Sequence, residues 1–391
     1  MICRYSDEDE RRVRLQVRVR DWTRAGLIDA TQAQQLEARL AVDLKRTNLW
    51  LRGVLGLFTA IVVAAVLGLE FTALMLLSRT AIATALAITG AAAIAVADSL
   101  AGRKRLYRYG VEEASAALAV TFVAVSAALF VPKTYSGPEW DMIAGLVTAA
   151  VGALLVYVRF GFLYAAVAAA ICAGLVPSHF GWGEIGWRLG CATVFAAIFF
   201  VVRSARRRLG DEFPGDDYAW IQVAPCAGAY LTLNLGLIDV ATSSTLMALP
   251  GWFYWSTYVA TWLIPIAVLA AAIREKDRPL LTTGAALLIG SLATNKPYLL
   301  MVRETWDPML LGVLLMGAAI GIRRWLMAGP GGQRGGYIAT PILVRDRELL
   351  TALANASILW HAGATQPPAA DASPSPFQGG RSGGGGGGAG Y

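Results

Sequence analysis

The sequence predicts an all-α fold, a polytopic transmembrane helix bundle of about ten spans. A small N-terminal helical cytoplasmic module precedes the bundle, and a disordered Gly-rich C-terminal tail follows it. Three observations carry this prediction. Apolar runs recur between residues 53 and 322, and a helix rising about 1.5 Å per residue needs about 20 such residues to cross a hydrocarbon core roughly 30 Å thick. Charged residues make up only 16% of the 391 residues, where a soluble domain carries about 25%. Lys and Arg, finally, are gathered in alternate links between the runs, as cytoplasmic loops require.

Composition also excludes several classes. The net charge is +7, but its placement in short links suits cytoplasmic loops and anionic lipid headgroups, so the expected partner is the lipid bilayer and not nucleic acid. No helix-turn-helix or RNA-binding pattern argues otherwise. Cys3, Cys172, Cys191 and Cys226 form no Cys-x-x-Cys pair, which gives neither a disulfide framework nor a zinc site. About fifty mostly polar residues precede the first apolar run. A cleavable signal peptide is therefore not expected, and Gly53 to Leu69 reads as an uncleaved anchor.

In chain order, residues 1–50 read as the cytoplasmic module. Ser6 can cap a helix whose first turn carries Asp7, Glu8, Asp9 and Glu10, acids favoured at the positive end of a helix dipole. Leu15, Val19, Trp22 and Ala25 form its apolar face. The stretch VRLQVRVR also alternates like a strand, but with no second strand nearby helix is favoured. Gly26 ends this helix, and Asp29 with Gln32 forms a capping box for a second one, striped by Ala33, Leu36, Leu40 and Leu44.

Residues 22–40, WTRAGLIDATQAQQLEARL, followed by a polytopic region, resemble the amino-terminal module of the DUF2157 family of predicted bacterial membrane proteins. The resemblance rests on a Trp, a Gly-Leu-Ile and a Gln-Ala-containing helix ahead of the first span. It implies a bacterial polytopic membrane protein and carries over no activity and no functional residues.

The bundle, residues 51–325, begins with the Gly53 to Leu69 span. Further crossings are expected near 80–97, 113–131, 142–158, 161–178, 185–202, 218–238, 252–273, 280–294 and 307–322. With a cytoplasmic amino terminus, the cytoplasmic links hold Arg103, Lys104, Arg105, Arg108, Arg159, Arg203, Arg206, Arg207, Arg208, Arg274, Lys276 and Arg278. The opposite links hold Arg79, Lys133, Arg188, Lys296 and Arg303. Twelve cations against five set the orientation, with both termini cytoplasmic in a bacterial inner membrane. Trp and Tyr favour headgroup depth, and Trp50, Tyr107 and Trp220 gather at one level while Trp140, Trp182, Trp252 and Trp306 gather at the other.

Residues 326–364 form a cytoplasmic segment in which Arg345 to Trp360 reads as one amphipathic helix. Residues 365–391, rich in Pro and Gly, are expected to be disordered.

The residue types that chemistry requires are sparse. Only two histidines occur, His179 and His361, far apart, and no His-Glu-x-x-His, Gly-x-Ser-x-Gly, Walker or dinucleotide pattern is present. No enzyme activity, no cofactor, no metal site and no catalytic residue is expected. Glu112 and Glu113 read as the start of a span, and Asp211, Glu212, Asp216 and Asp217 as a solvated loop. Two Gly-x-x-x-Gly spacings, Gly186–Gly190 and Gly317–Gly321, read as packing within the bundle.

One cluster stands out by depth. Arg188, Asn234 and Lys296 fall in the outer half of the sixth, seventh and ninth spans. Polar groups within spans usually face a bundle interior or a cavity. Pro225 is expected to bend the seventh span, and Pro297 to break the ninth at Lys296 and free its carbonyls. Arg188 can serve an anionic ligand or pair with Glu184 one turn away. Convergence of these three residues on one pocket would mark a small-molecule site; interfacial polar residues are the plainer alternative. The leading reading of function is a non-enzymatic envelope or regulatory component. A secondary transporter is the alternative, and a lipid-modifying enzyme stands last.

Overall fold

The structure is a computed structural model that describes residues 5–24, 26–74, 78–133, 137–209, 213–238, 249–299, 301, 304, 306–330, 333–334 and 337–338. The expected amphipathic helix at 345–360 and the expected disordered tail lie outside these residues. The fold is helical: α1 Asp7–Arg24, α2 Ala30–Arg39, α3 Leu49–Leu74, α4 Arg79–Arg103, α5 Val111–Phe130, α6 Trp140–Phe160 and α7 Leu163–Leu175. A 3-10 turn, Val176–His179, leads to α8 Glu184–Leu209, α9 Phe213–Ile221, α10 Val223–Leu233, α11 Leu235–Ile238, α12 Gly251–Glu275, α13 Arg278–Tyr298 and α14 Asp307–Met327. A two-residue antiparallel pairing of β1 Gln333–Arg334 with β2 Tyr337–Ile338 follows α14.

Among the described residues six helices, α4, α5, α6, α8, α12 and α14, are long and apolar enough to cross a membrane, so the chain is a multi-pass membrane protein. The other four expected spans also fall on helix. Gly53 to Leu69 lies within α3, 161–178 on α7 and its 3-10 turn, and 280–294 within α13. The 218–238 run is divided into α9, α10 and α11, with breaks at Gln222 and Asn234. Pro225 accounts for the first break, because it has no N–H for the carbonyl of Ile221 and its ring crowds that carbonyl.

Long Ala- and Gly-rich faces let these helices pack closely. On α4, a methyl group at Gly90 would strike Val123 and the Ala119 carbonyl of α5. Phe195 of α8 lies over Gly174 of α7 and Gly228 of α10, where any Cβ would overlap its ring. Small residues at such crossings are what draws helices together in lipid. Gly190 likewise packs, against Pro177 and Trp182. Gly317 and Gly321 do not: nothing lies within 4 Å of an added Cβ there, and α14 has no buried residue. The expectation that this second glycine pair packs inside the bundle is corrected accordingly.

The links holding Arg103–Arg108, Arg159 and Arg203–Arg208 lie at one end of the helices, here the basic end. Residues 5–48 fold onto it. Val13, Gln16 and Val19 form the buried face of α1, and Val13 joins Tyr5, Ala101, Tyr107, Ala116, Phe160 and Phe162 in one cluster. Trp22, expected on that face, is exposed, and Leu15 is half-buried. The Asp29–Gln32 capping box forms as the sequence predicts. Its helix stops at Arg39 and does not continue to Leu44. Beyond it the chain is extended, because Lys45 pairs with the loop after α4: its N–H donates to the Arg105 carbonyl at 3.0 Å and its carbonyl accepts from Tyr107 at 3.0 Å.

Ion pairs fasten the same end. Arg14 meets Asp217 of α9 at 2.5 Å and Glu10 at 3.0 Å. Burial works against the charge on Arg14, but the two carboxylates outweigh it and hold its pKa above the ordinary guanidinium value. Arg52 forks onto both oxygens of Glu113. Glu112 beside it accepts the Tyr109 N–H at 2.6 Å, the helix-start role expected of this acid pair. Arg159 of α6 forks onto one oxygen of Asp98 of α4, at 2.7 and 3.0 Å.

Candidate functional site

At the other end of the bundle, polar side chains concentrate around the break between α10 and α11. Asn234 leaves the helical region there, with φ −82° and ψ 94°. A broken helix in a bilayer exposes peptide groups that lipid cannot satisfy. Here one side chain supplies the missing partners. The Tyr298 hydroxyl donates to the Leu233 carbonyl at 3.2 Å and accepts the Leu235 N–H at 2.7 Å. A single phenol on α13 thus bridges the gap in its neighbour's backbone.

Asn234 is fully buried. Its Nδ2 donates to the Tyr230 hydroxyl at 2.7 Å and to Thr294 Oγ1 at 3.1 Å. Tyr230 in turn shares a 3.0 Å hydrogen bond with Ser291, whose hydroxyl donates to the Thr261 carbonyl of α12 at 2.5 Å. Three helices, α10, α12 and α13, are cross-linked by this chain. Asn234 Oδ1 is buried without a partner among the described residues.

Arg188 of α8 approaches the same segment from the other side. It is 2% exposed. Its Nε donates to Glu184 at 2.7 Å and its Nη1 to the Thr232 carbonyl at 3.1 Å, while its guanidinium lies 4.7 Å from the centre of the Trp187 ring. The pair with Glu184 that the sequence allows is formed. Lys296, two positions beyond the Thr294 that Asn234 bonds, has partners of its own. Its ammonium pairs with Asp307 at 2.5 Å and sits 5.1 Å from the Trp306 ring centre, tying α13 to the start of α14. Arg188 therefore bonds the backbone two residues before Asn234, whereas Lys296 bonds a carboxylate at the start of α14.

The expected break at Lys296 is also corrected: α13 runs through it to Tyr298. The Leu299 N–H still reaches the Asn295 carbonyl at 3.1 Å, and Tyr258 donates to the Asn295 side chain at 2.9 Å. Proline disfavours helix at the residue before it without forbidding it, and these bonds hold the turn.

Tyr230, Ser291, Thr294 and Tyr298 were not singled out from the sequence. A signal was present, since Ser291, Thr294 and Tyr298 recur at intervals of three and four on one face of α13, as do Tyr254, Thr257, Tyr258 and Thr261 on α12. Elsewhere His179 pairs with Glu139 at 2.6 Å, next to the Glu139 N–H to His179 carbonyl bond of 2.8 Å, which joins two loops. Comparison with family models, with curated proteins and with solved structures gives no match for this chain.

Proposed function

We propose that this chain is a non-enzymatic integral protein of a bacterial inner membrane, an envelope or regulatory component with ten spans and both termini cytoplasmic. The observation that carries this reading is the Tyr298 bridge. Around the α10–α11 break the side chains of Asn234, Tyr230, Ser291 and Thr294 are bonded to one another, and the broken backbone is closed by a phenol, which suits a bundle built to hold its shape. The positive-inside distribution of Lys and Arg supports the orientation. The likeness of residues 22–40 to the DUF2157 module supports the bacterial membrane setting.

A secondary transporter is the second reading, favoured by one observation. The α10–α11 break beside buried Arg188 leaves Asn234 Oδ1 without a partner, and discontinuous helices commonly form transporter sites. Two experiments separate these readings. Reporter fusions after Arg105, Arg208 and Arg278 should read as cytoplasmic, and those near Ser136 and Ser243 as exported; a consistent reversal sinks the orientation. Thermal denaturation of the purified protein against a panel of small anionic, cationic and neutral solutes should give no saturable shift. A shift that Asn234→Leu abolishes would replace the proposed function with transport.

A further inference from the structure

A second charged cluster lies at the basic end, between the last turns of α8 and α12. A cleft of about 700 Å³ is lined there by Arg203, Arg207, Ala270, Ala271, Arg274 and Glu275. Three guanidiniums face one carboxylate, so the cleft carries two positive charges in excess. Arg203 and Arg207 both donate to the same oxygen, Glu275 Oε1, at 2.6 and 2.8 Å. Two donors occupy both lone pairs of that oxygen. Arg203 Nη1 is nonetheless buried and has no partner among the described residues, with its guanidinium held 5.6 Å from the Phe199 ring centre. Arg207 and Arg274 are exposed at the mouth.

We propose that this cleft binds a phosphate-bearing anion at headgroup depth, the phosphodiester of an anionic phospholipid. Both helices are long and apolar enough to span, which puts their last turns at the membrane surface. Guanidinium forks match phosphate oxygens two at a time, and basic pockets between transmembrane helices take anionic headgroups. Ala270 and Ala271 line the cleft with small side chains. A simpler account has these arginines only balancing the negative helix ends. That account covers Arg206, which is satisfied by Asp277, but it leaves the buried nitrogen of Arg203 with no acceptor. The donors that a phosphate at the mouth would meet are the exposed Arg207 and Arg274.

The test uses full-length protein and native mass spectrometry with phosphatidylglycerol. Arg207→Gln with Arg274→Gln changes two exposed side chains, and circular dichroism verifies that the helices remain. Affinity for phosphatidylglycerol should fall about tenfold in this double variant. Arg208→Gln, at the same end but outside the cleft, should bind as the parent does. Inorganic phosphate is the second probe. If it fails to compete, the lipid is the source of the anion; if it competes with the same arginine dependence, the cleft takes phosphate from either source. Equal affinity in the double variant and the parent, no binding by the parent, or an equal loss in Arg208→Gln would overturn the proposal.

Discussion

Arg14 Nη2 lies 2.5 Å from Asp217 Oδ2, although 203 positions separate the two residues in the chain. Their side chains are 20% and 19% exposed. The pair joins α1 to the short helix that precedes the broken segment, so the amino-terminal module is fastened to the second half of the bundle as well as to the first.

A pair this sheltered lies between exposed bridges, worth under about 1 kcal/mol, and buried ones, whose rupture costs several. Arg14→Ala and Asp217→Ala should each destabilise the protein. A double-mutant cycle by thermal denaturation should return a coupling of about 1–2 kcal/mol. Additive effects would mean that the module rests on its apolar contacts alone.

Tyr298→Phe should cost about 2 kcal/mol. Removing the hydroxyl strands the Leu233 carbonyl and the Leu235 N–H in a buried setting, and each orphaned group carries a desolvation penalty. Tyr258→Phe, which loses one bond to the half-buried Asn295 side chain, should cost under about 1 kcal/mol. Chemical denaturation of the two variants in the same detergent checks the order.

Gly110 precedes α5 at φ 106° and ψ −38°, a conformation open to glycine and strained for other residues. An added Cβ would also collide with the Arg52 carbonyl, in the helix that α5 packs against. Gly110→Ala should therefore destabilise by more than about 2 kcal/mol. Gly26→Ala has positive φ but nothing within 4 Å, and it should cost about 1 kcal/mol. Expression and melting temperature of the two variants give the comparison.

Burial raises the Tyr107 pKa from 10.0 to about 12. The unfolded chain thus loses this proton first. The contribution of Tyr107 to stability is complete below pH 10 and falls as pH rises through 10 to 12. Tyr107→Phe should lessen the alkaline loss of stability relative to the parent, measured as melting temperature against pH. An unchanged slope would show that other groups govern it.

The membrane-spanning helices were the part most legible in the sequence. The 113–131 and 142–158 runs became Val111–Phe130 and Trp140–Phe160 because an uninterrupted apolar stretch has few alternatives in a bilayer. The Asp29–Gln32 box was readable for a similar reason, since both its residues act within one turn. Interactions across the chain left no such local trace. Nothing near Arg14 announces Asp217, and nothing near Lys45 announces the loop at Arg105 that draws it out of helix. Trp22 was misplaced because amphipathic spacing locates a face without saying which neighbour covers it. Arg188 was legible as a residue that must turn inward. The role of Tyr298 was hidden because its two partners belong to the backbone of another helix, and backbone groups carry no sequence signature.

The bare surface of α14 has a mechanical consequence. This helix is fixed at its start by Asp307 to Lys296, and the strands beyond its end are held where the Tyr337 hydroxyl donates to the Ile273 carbonyl at 3.2 Å. Between those anchors no residue is buried, so neighbouring helices do little to set its inclination. Its 21 residues rise about 31 Å, close to the roughly 30 Å of an average hydrocarbon core. A helix of that length can cross such a core, and its inclination is left to these two anchors and not to buried packing.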